Sequence, residues 1–179
     1  MTIIMSSKPN IQLTLAILKP HLVKNPIALR AIRNKILESN FKIVKSKHRR
    51  LNEIDAENFY KEHINKFFYN RLVTSMISGP SEMYVLAREN AIKQWRDLMG
   101  PTKVYKAQFD QPHSIRGEFG LSDTRNATHG SDSPESVERE IKILFPEFDI
   151  NFWFKNDRKY FECNKIIFDK EHFIHRIVY

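Results

Sequence analysis

The sequence predicts an α+β sandwich of the split βαβ type, in which four strands alternate with helices. Two observations lead to this prediction. Four short apolar runs are bounded by turn residues, and amphipathic segments with helical spacing lie between them. The 179 residues are enough for one hydrophobic core but few for two domains. One folded domain therefore accounts for most of the chain.

The first strand and the first helix are the clearest elements. The apolar run over residues 13–18 stops at Lys19 and is typical of a buried strand that ends in a turn. Asn25, followed by a proline, is typical of a helix N-cap. The apolar residues beyond it recur at helical spacing and predict an amphipathic helix that ends near Asn40. A second strand is predicted over residues 41–46.

The middle of the chain continues the alternation. The predicted elements are helices over residues 54–63 and 68–77, a turn at residues 78–80, a strand over residues 83–87 and a helix over residues 91–99. The polar stretch over residues 102–124 has little periodicity and is predicted to be a loop. A loop of that length inside a compact domain is usually functional or disordered.

The last predicted strand, near residues 127–129, precedes a helix that starts at Ser133 and Pro134. The stretch from Phe145 to Tyr179 holds ten of the 21 aromatic residues, which a solvated tail would not carry. We expect an N-terminal arm over residues 1–11 and a main domain over residues 12–146. Residues 147–179 are expected to form an aromatic extension packed on that domain.

The basic charge is concentrated near the N-terminus. The chain has a net charge of +8, and residues 1–50 hold seven Lys and four Arg against Glu38 alone. This charge fits either a nucleic-acid-binding surface, with its dense cluster at residues 45–50, or a solvated face of the amphipathic helix. The solvated face is the simpler explanation, so no nucleic-acid partner is expected.

Composition also excludes several classes of protein. The single cysteine, Cys163, cannot form an internal disulfide or a cysteine-based zinc cluster. No apolar run approaches the roughly 18–20 residues of a membrane span, and no membrane association is expected. The first residues are a poor secretory signal but leave a mitochondrial address open. We therefore expect an intracellular protein, either cytoplasmic or mitochondrial.

The strongest chemical pattern lies at residues 125–133, which read Arg-Asn-Ala-Thr-His-Gly-Ser-Asp-Ser. Gly130, directly after His129, lets backbone or ligand approach closely. The Ser131 hydroxyl is a hydrogen-bond donor. Glu140, on the following helix, is within reach of one imidazole nitrogen and would leave the other bare as a nucleophile.

This pattern, Asn126-x-x-His129-Gly130-Ser131-Asp132, resembles the active-site signature of the nucleoside diphosphate kinases. Other blocks resemble that family in the same order: Thr14-x-x-x-Leu18-Lys19-Pro20, Phe59-Tyr60-x-Glu62-His63 with Phe67-Phe68, Leu72-Val73, Ser78-Gly79-Pro80 and Ile115-Arg116-Gly117-x-Phe119. The resemblance runs from about Gln12 to Phe145. It implies a ferredoxin-like four-stranded antiparallel sheet covered by helices.

The resemblance also implies a reaction. The γ-phosphoryl of a nucleoside triphosphate passes to His129 and then to a nucleoside diphosphate, in a ping-pong sequence. The ligands would be ATP and other nucleoside di- and triphosphates, and Mg²⁺ would accompany their phosphates. Such a metal would be held largely by substrate oxygens and water, because the sequence offers no independent carboxylate cage.

The resemblance also implies the site residues, because positions of this sequence match functional positions of the family. Ser131, Glu140 and Tyr60 match the groups beside the histidine, and Lys19 matches a lysine that serves both catalysis and phosphate binding. The other nucleotide-binding positions are matched by Arg96, Thr102 and Arg116 for phosphate, Phe68 for base stacking and Asn126 for the ribose hydroxyl. Taken singly, all of these except His129 have an ordinary structural interpretation. Their joint order favours the site.

Two departures from the family pattern stand out. His21 replaces the usual Asp after Lys-Pro, and the loop between Gly100 and Arg116 is longer than in common members. That loop and the extended C-terminus look like the divergent nucleoside diphosphate kinase 6 subgroup. In common members the loop helps to build the trimer faces of a hexamer, so the altered loop leaves both a homo-oligomer and a protein partner open. A weakly active or inactive family member that binds or regulates a partner is the alternative function.

Overall fold

The computed structural model describes residues 10–178. The strands of this range are β1 (Ile11–Leu18), β2 (Lys42–Arg50), β3 (Pro80–Glu89), β4 (Thr128–Gly130), β5 (Ile166–Asp169) and β6 (Ile174–Ile177). Its α-helices are α1 (Pro20–Val23), α2 (Pro26–Glu38), α3 (Glu53–Phe59), α4 (Tyr69–Ile77), α5 (Ala91–Met99), α6 (Val104–Asp110), α7 (Ile115–Phe119), α8 (Pro134–Leu144), α9 (Ile150–Phe152) and α10 (Arg158–Glu162). A 3₁₀ turn (Lys61–His63) follows α3, and a π-helical segment (Trp153–Asp157) joins α9 to α10.

The first four strands form one antiparallel sheet in the order β2-β3-β1-β4. The central strand β1 pairs with β3 along its whole length. On its other side β1 pairs with β4, where Ile17 lies opposite His129. The predicted α+β fold with a four-stranded antiparallel sheet is thereby confirmed, and the pairing sets His129 beside the end of the central strand.

Alternate side chains of β1 point to opposite faces of the sheet and enter two separate hydrophobic clusters. Leu13 and Leu15 belong to the cluster that includes side chains of α3, α4 and α8. Ala16 and Leu18 belong to the cluster that includes side chains of α2 and α5. Because both faces of β1 are buried toward its end, residues 15–18 form a continuous apolar run, whereas Gln12 and Thr14 alternate with apolar residues in its first half.

The predicted helix after Asn25 is confirmed as α2. The Asn25 side chain accepts hydrogen bonds from the backbone N–H groups of Ile27 and Ala28, each at 3.1 Å, and so satisfies two free donors of the first turn. The helix ends at Glu38, and Asn40 follows with φ of 59°, a left-handed conformation that asparagine tolerates well.

The prediction of a loop over residues 102–124 is wrong, because this stretch contains α6 and α7. These helices have seven and five residues and bury only two side chains each. Helices this short produce no clear periodicity in the sequence. Several boundaries also differ. The predicted helix over residues 54–63 ends at Phe59 and continues as the 3₁₀ turn, β3 already begins at Pro80, inside the predicted turn, and β2 extends to Arg50 instead of ending at residue 46.

The C-terminal segment folds back onto the sheet. Trp153 and Phe161 are buried in the first cluster, and Phe173 is buried in the second. Strands β5 and β6 form a hairpin, and β6 lies next to the edge strand β2. There the His175 Nδ1 atom accepts a hydrogen bond of 2.9 Å from the N–H of Ile43, beside a β-bulge.

The domain limits drawn from the sequence stay a prediction. Residues 1–9 of the expected N-terminal arm lie outside the described residues, and β1 begins at Ile11. Between residues 10 and 178 no helix is long and apolar enough to cross a membrane.

Candidate active site

A cleft of about 750 Å³ opens beside the end of β1 and β4. Nine of the ten side chains that the sequence assigned to the site line it: Lys19, Tyr60, Phe68, Arg96, Thr102, Arg116, Asn126, His129 and Glu140. The tenth, Ser131, is fully buried and contacts Glu140. The fold therefore brings together residues that are spread over more than 120 positions of the chain.

The His129 ring presents two nitrogens in different surroundings. Its Nε2 lies 3.0 Å from Oε2 of Glu140. An ionised carboxylate only accepts hydrogen bonds, so the proton of a neutral ring resides on Nε2. Nδ1 has no hydrogen-bond partner among the described residues, and the side chain is 25% exposed toward the cleft. Its lone pair is therefore available.

Glu140 is buried and is held by several groups. Its Oε2 accepts a hydrogen bond of 2.7 Å from the Ser131 hydroxyl, and its Oε1 lies 3.7 Å from Arg139 Nη2. Burial raises the pKa of Glu140, but the charge of His129 and the hydrogen bonds from His129 and Ser131 outweigh it and lower the pKa below its usual value. The carboxylate is thus ionised where it faces the imidazole.

The position of His129 is set by two aromatic residues that the sequence analysis missed. The Phe59 ring meets the imidazole edge to face at 4.9 Å, and Trp95 Nε1 donates a hydrogen bond of 3.1 Å to the His129 carbonyl. A Cβ atom on Gly130 would lie 2.6 Å from Trp95 Nε1, so only glycine fits beside this indole. Their apolar sequence patterns indicate core residues and carry no sign of contact with the histidine.

Lys19 and Arg116 are buried cations that line the same cleft. Lys19 Nζ donates hydrogen bonds to Asn126 Oδ1 at 2.6 Å and to the Thr124 carbonyl at 3.2 Å. Arg116 donates to the carbonyls of Gly100 at 2.8 Å and Thr128 at 3.2 Å. All of these acceptors are neutral, so neither cation is compensated by a carboxylate.

Burial without compensation perturbs both groups. Desolvation, and then the charge of Arg116, lowers the pKa of Lys19 to about 7. Desolvation, and then the charge of Arg96, lowers the pKa of Arg116 to about 10. Arg116 Nε is also buried without a hydrogen-bond partner, and neither Lys19, Arg96 nor Arg116 forms a salt bridge with any residue between 10 and 178. An anionic ligand would supply the missing charge.

The segment that carries Asn126 is held by contacts with Thr102 and with His21 of α1. Asn126 Nδ2 donates to the Thr102 carbonyl at 3.4 Å, and the exposed Thr102 hydroxyl lies 3.4 Å from Arg116 Nη1. His21, the residue that departs from the family pattern, accepts a hydrogen bond of 3.2 Å at Nε2 from the N–H of Ala127. The loop and α1 are thereby joined next to Lys19.

Aromatic residues also line the cleft. The Tyr60 hydroxyl is buried and has no hydrogen-bond partner within the described range, and burial followed by the charge of Glu140 raises the pKa of Tyr60 well above its usual value. Farther out, Phe68 is half-buried against His63, with ring centroids 5.6 Å apart, and Phe67 is 88% exposed at the mouth. A neutral donor therefore lies deep in the cleft and flat apolar surfaces lie at its entrance.

The donor set constrains how a metal would bind. No group of three or more His, Cys, Asp or Glu side chains within residues 10–178 is arranged to hold a metal ion. Of the cleft carboxylates, Asp123 pairs with Lys103 and Asp132 accepts from the Ser136 hydroxyl at 2.7 Å. A magnesium ion would fit here only with phosphate oxygens and water as its main ligands, which is a common arrangement for Mg²⁺.

The fold and the site together define an α+β sandwich protein with a cleft that is lined by a histidine and by buried cations without acidic partners. Comparison with known proteins then specifies the family. A sequence model of the nucleoside diphosphate kinases matches residues 12–150. The chain belongs to the nucleoside diphosphate kinase family.

Individual relatives agree with this assignment. The chain is 47% identical over 167 residues to nucleoside diphosphate kinase 6 of Xenopus tropicalis, covering 93% of each chain. It is 44% identical over 177 residues to nucleoside diphosphate kinase 6 of Homo sapiens, covering 99% of this chain and 95% of the other. The similarity to the nucleoside diphosphate kinase 6 subgroup, predicted from the long loop and the C-terminal extension, is thereby confirmed.

Solved structures share the fold. The Aquifex aeolicus nucleoside diphosphate kinase superposes with a TM-score of 0.73 at 38% identity, covering 75% of this chain and 95% of the other. The halophilic nucleoside diphosphate kinase of Halobacterium salinarum, in complex with CDP, superposes with a TM-score of 0.70 at 30% identity, covering 80% and 97%.

Proposed function

We propose that the protein is a nucleoside diphosphate kinase that transfers the γ-phosphoryl of a nucleoside triphosphate to a nucleoside diphosphate through a phosphohistidine on His129. One observation carries this proposal: Nδ1 of His129 is unpartnered in a cleft whose buried cations, Lys19 and Arg116, have no acidic partner. A nucleophile and an anion-binding wall face the same space.

In the first half-reaction the Nδ1 lone pair attacks the γ-phosphorus. The N–P bond forms while the bond from the γ-phosphorus to the bridging oxygen breaks, and the nucleoside diphosphate leaves with that electron pair. No proton has to be removed from Nδ1, because the ring proton is on Nε2. The positive charge that develops on the imidazole is stabilised by Glu140, 3.0 Å from Nε2. The second half-reaction reverses these steps with another nucleoside diphosphate.

The cations and the neutral donors would bind the phosphates. Arg116 lines the cleft and is already oriented by two backbone carbonyls, which suits a fixed contact to phosphate oxygens. Lys19 adds a point charge, and Arg96 and Thr102 line the same cleft. The buried Tyr60 hydroxyl is a donor without a partner close to the histidine. Charge spread over the transferring phosphoryl group is stabilised by such an arrangement.

The remaining groups would bind the nucleoside. Phe68 presents a ring face at the mouth, and stacking on it tolerates every base. Asn126, oriented by Lys19 and Thr102, would contact the ribose hydroxyl. The complex of the Halobacterium salinarum relative with CDP supports a nucleoside diphosphate as ligand. Mg²⁺ bound to the phosphates would supply further charge neutralisation of the transferring group.

A labelled phosphoryl group tests the proposal directly. The protein is incubated with γ-labelled ATP, and label that remains bound under alkaline conditions but is lost in acid is measured. We expect such a phosphoenzyme, and we expect an added nucleoside diphosphate to discharge it. His129→Ala should carry no label, and the matched control His113→Ala, which changes an exposed histidine outside the cleft, should be labelled normally. A wild-type protein that acquires no label would contradict the proposed function.

One observation favours the alternative, a partner-binding member with little or no kinase activity. Tyr105 and Phe109 are 72% and 88% exposed one turn apart on α6, where a protein partner or a second copy would bury them. The labelling experiment should be repeated at several protein concentrations, with the mass in solution measured alongside. Label that is absent at every concentration, with a folded protein, would favour this alternative.

A further inference from the structure

We propose that His21 is a positioning residue of this site: its ring holds the segment at residues 124–127 against the end of β1, so that Asn126 and Lys19 meet the nucleotide in the correct geometry. The inference rests on the proposed kinase function for its kinetic consequence. It does not depend on that function for the contact itself. The resemblance to the family gives no role to His21, because His21 departs from the family pattern.

Ala127 is held by hydrogen bonds to both of its backbone polar groups. Its N–H donates to His21 Nε2 at 3.2 Å, and its carbonyl accepts from the backbone N–H of Lys19 at 2.9 Å. His21 lies in α1, two residues beyond Lys19, so both anchors come from one short stretch of chain. Loss of the imidazole would leave only the backbone bond.

This anchoring matters because Ala127 has a strained backbone. Its φ is 67°, in the left-handed region that residues with a Cβ atom rarely adopt. The turn made there sends the neighbouring Asn126 side chain to Lys19 Nζ, 2.6 Å away. If Ala127 relaxed to a right-handed or extended conformation, Asn126 would swing away from Lys19. Both nucleotide-binding groups therefore depend on the conformation of one alanine.

The contact also dictates the protonation state of His21. Nε2 can accept the amide proton only if it carries none, so the ring proton is on Nδ1, which is buried without a hydrogen-bond partner in the described structure. Burial, followed by the positive charges of Lys19 and Arg125 that face the ring, lowers the pKa of His21 to about 4. The imidazole is therefore a neutral acceptor at neutral pH, and it leaves the charge of Lys19 free for phosphate.

A magnetic resonance experiment tests the contact independently of activity. Ring ¹⁵N shifts, assigned with His21→Gln and His129→Gln variants, should show the Nδ1–H form for His21 and the Nε2–H form for His129 at pH 7. The amide of Ala127 should exchange with solvent slowly in the wild type and at least about tenfold faster in His21→Leu. A His21 ring that is charged or protonated at Nε2, or an Ala127 amide that exchanges equally in both proteins, would overturn the proposal.

Kinetics with two variants separates positioning from mere packing. His21→Leu keeps the bulk but removes the acceptor, whereas His21→Gln places an oxygen acceptor at the same bond distance from Cβ as Nε2. The loss of one hydrogen bond predicts a KM for the nucleotide raised about threefold to tenfold in the Leu variant, with kcat changed less. The Gln variant should recover most of the difference. Equal KM values for Leu and wild type, or equal losses in Leu and Gln, would contradict the proposal.

The two proposals can fail separately. If the wild type forms no phosphoenzyme, the kinase function is wrong, while the ring tautomer and the Ala127 exchange still decide the role of His21. If the wild type is labelled but His21→Leu binds and turns over nucleotide normally, the kinase function stands and the positioning role is wrong. Circular dichroism and thermal melting of each variant show that the comparison is made between folded proteins.

Discussion

Oε2 of Glu140 lies 3.0 Å from Nε2 of His129, and the same oxygen accepts a hydrogen bond from the Ser131 hydroxyl. Two donors therefore bind the same buried oxygen, and together they fix the carboxylate next to the imidazole. In the proposed reaction this contact does two things at once. It keeps the ring proton away from Nδ1, and it stabilises the charge that the imidazole gains when the N–P bond forms.

Glu140→Gln should therefore slow phosphoryl transfer more than it weakens binding. The amide oxygen can still accept from Nε2, but the negative charge is gone, and a loss of about 1.5–3 kcal/mol corresponds to a kcat about tenfold to a hundredfold lower. The nucleotide KM should stay within about threefold. Stopped-flow measurement of phosphoenzyme formation checks this. The control is Glu138→Gln, on the exposed face of the same helix α8, and a kcat reduced equally in both variants would contradict the assignment.

Lys19 predicts a pH dependence. Its pKa in the free protein is about 7, so the amino group is charged below pH 7 and loses its proton as the pH rises through that value. Because kcat/KM reports the free enzyme, kcat/KM should fall above pH 7. His21→Asp sets a carboxylate near Lys19, raises the pKa of Lys19 and should move this fall upward by about one pH unit or more. A profile between pH 6 and 9 that is flat, or that His21→Asp does not move, argues against this role of Lys19.

Gly130→Ala should destabilise the fold as well as the site. The added Cβ would lie 2.6 Å from Trp95 Nε1 and 2.8 Å from Met99 Cε, and such overpacking costs about 1–3 kcal/mol. Urea unfolding measures the free energy. The matched control is Gly79→Ala, whose Cβ would be 3.4 Å from its nearest neighbour, the flexible Lys24 side chain, and whose stability should change by less than about 1 kcal/mol. Equal stability of the two variants would refute the packing argument.

Tyr60→Phe should lower activity without lowering stability. The hydroxyl is buried without a partner in the described structure, so its removal should leave the unliganded protein unchanged or more stable by about 1 kcal/mol. The proposed reaction loses a donor near the phosphoryl group, so kcat should fall about threefold to thirtyfold. Thermal melting and steady-state kinetics give the two readouts. Tyr105→Phe, at an exposed ring outside the cleft, should change neither, and a Tyr60→Phe protein with normal kcat would exclude the donor role.

The sequence predicted most of the sheet because its strands carry local signals. The run at β1 is apolar on both faces, and Asn25 with Pro26 marks a helix start by itself. It also paired His129 with Glu140, since a strand and the next helix bring residues of such spacing together. Helices α6 and α7 escaped prediction, because they are short and bury too few side chains to leave a periodic pattern.

Contacts between distant segments could not be predicted from the sequence. Phe59 touches His129 and Trp95 donates to its carbonyl only because α3 and α5 lie on opposite faces of the sheet beside β4. Neither side chain differs in its local pattern from an ordinary core residue. The role of His21 was hidden for the same reason: the sequence marks it as a departure, and only the fold shows that it reaches Ala127.

The hairpin beside β2 has a consequence for the protein in a crowded cell. An open strand edge offers unpaired N–H and C=O groups to strands of other molecules and can start aggregation. Here β2 is an edge of the sheet and β6 lies alongside it. The N–H of Ile43 donates a hydrogen bond to the His175 ring. Proteolytic removal of the last residues would uncover that edge and the apolar surface under Phe173 together. Protection against self-association thus depends on a segment that lies away from the histidine cleft.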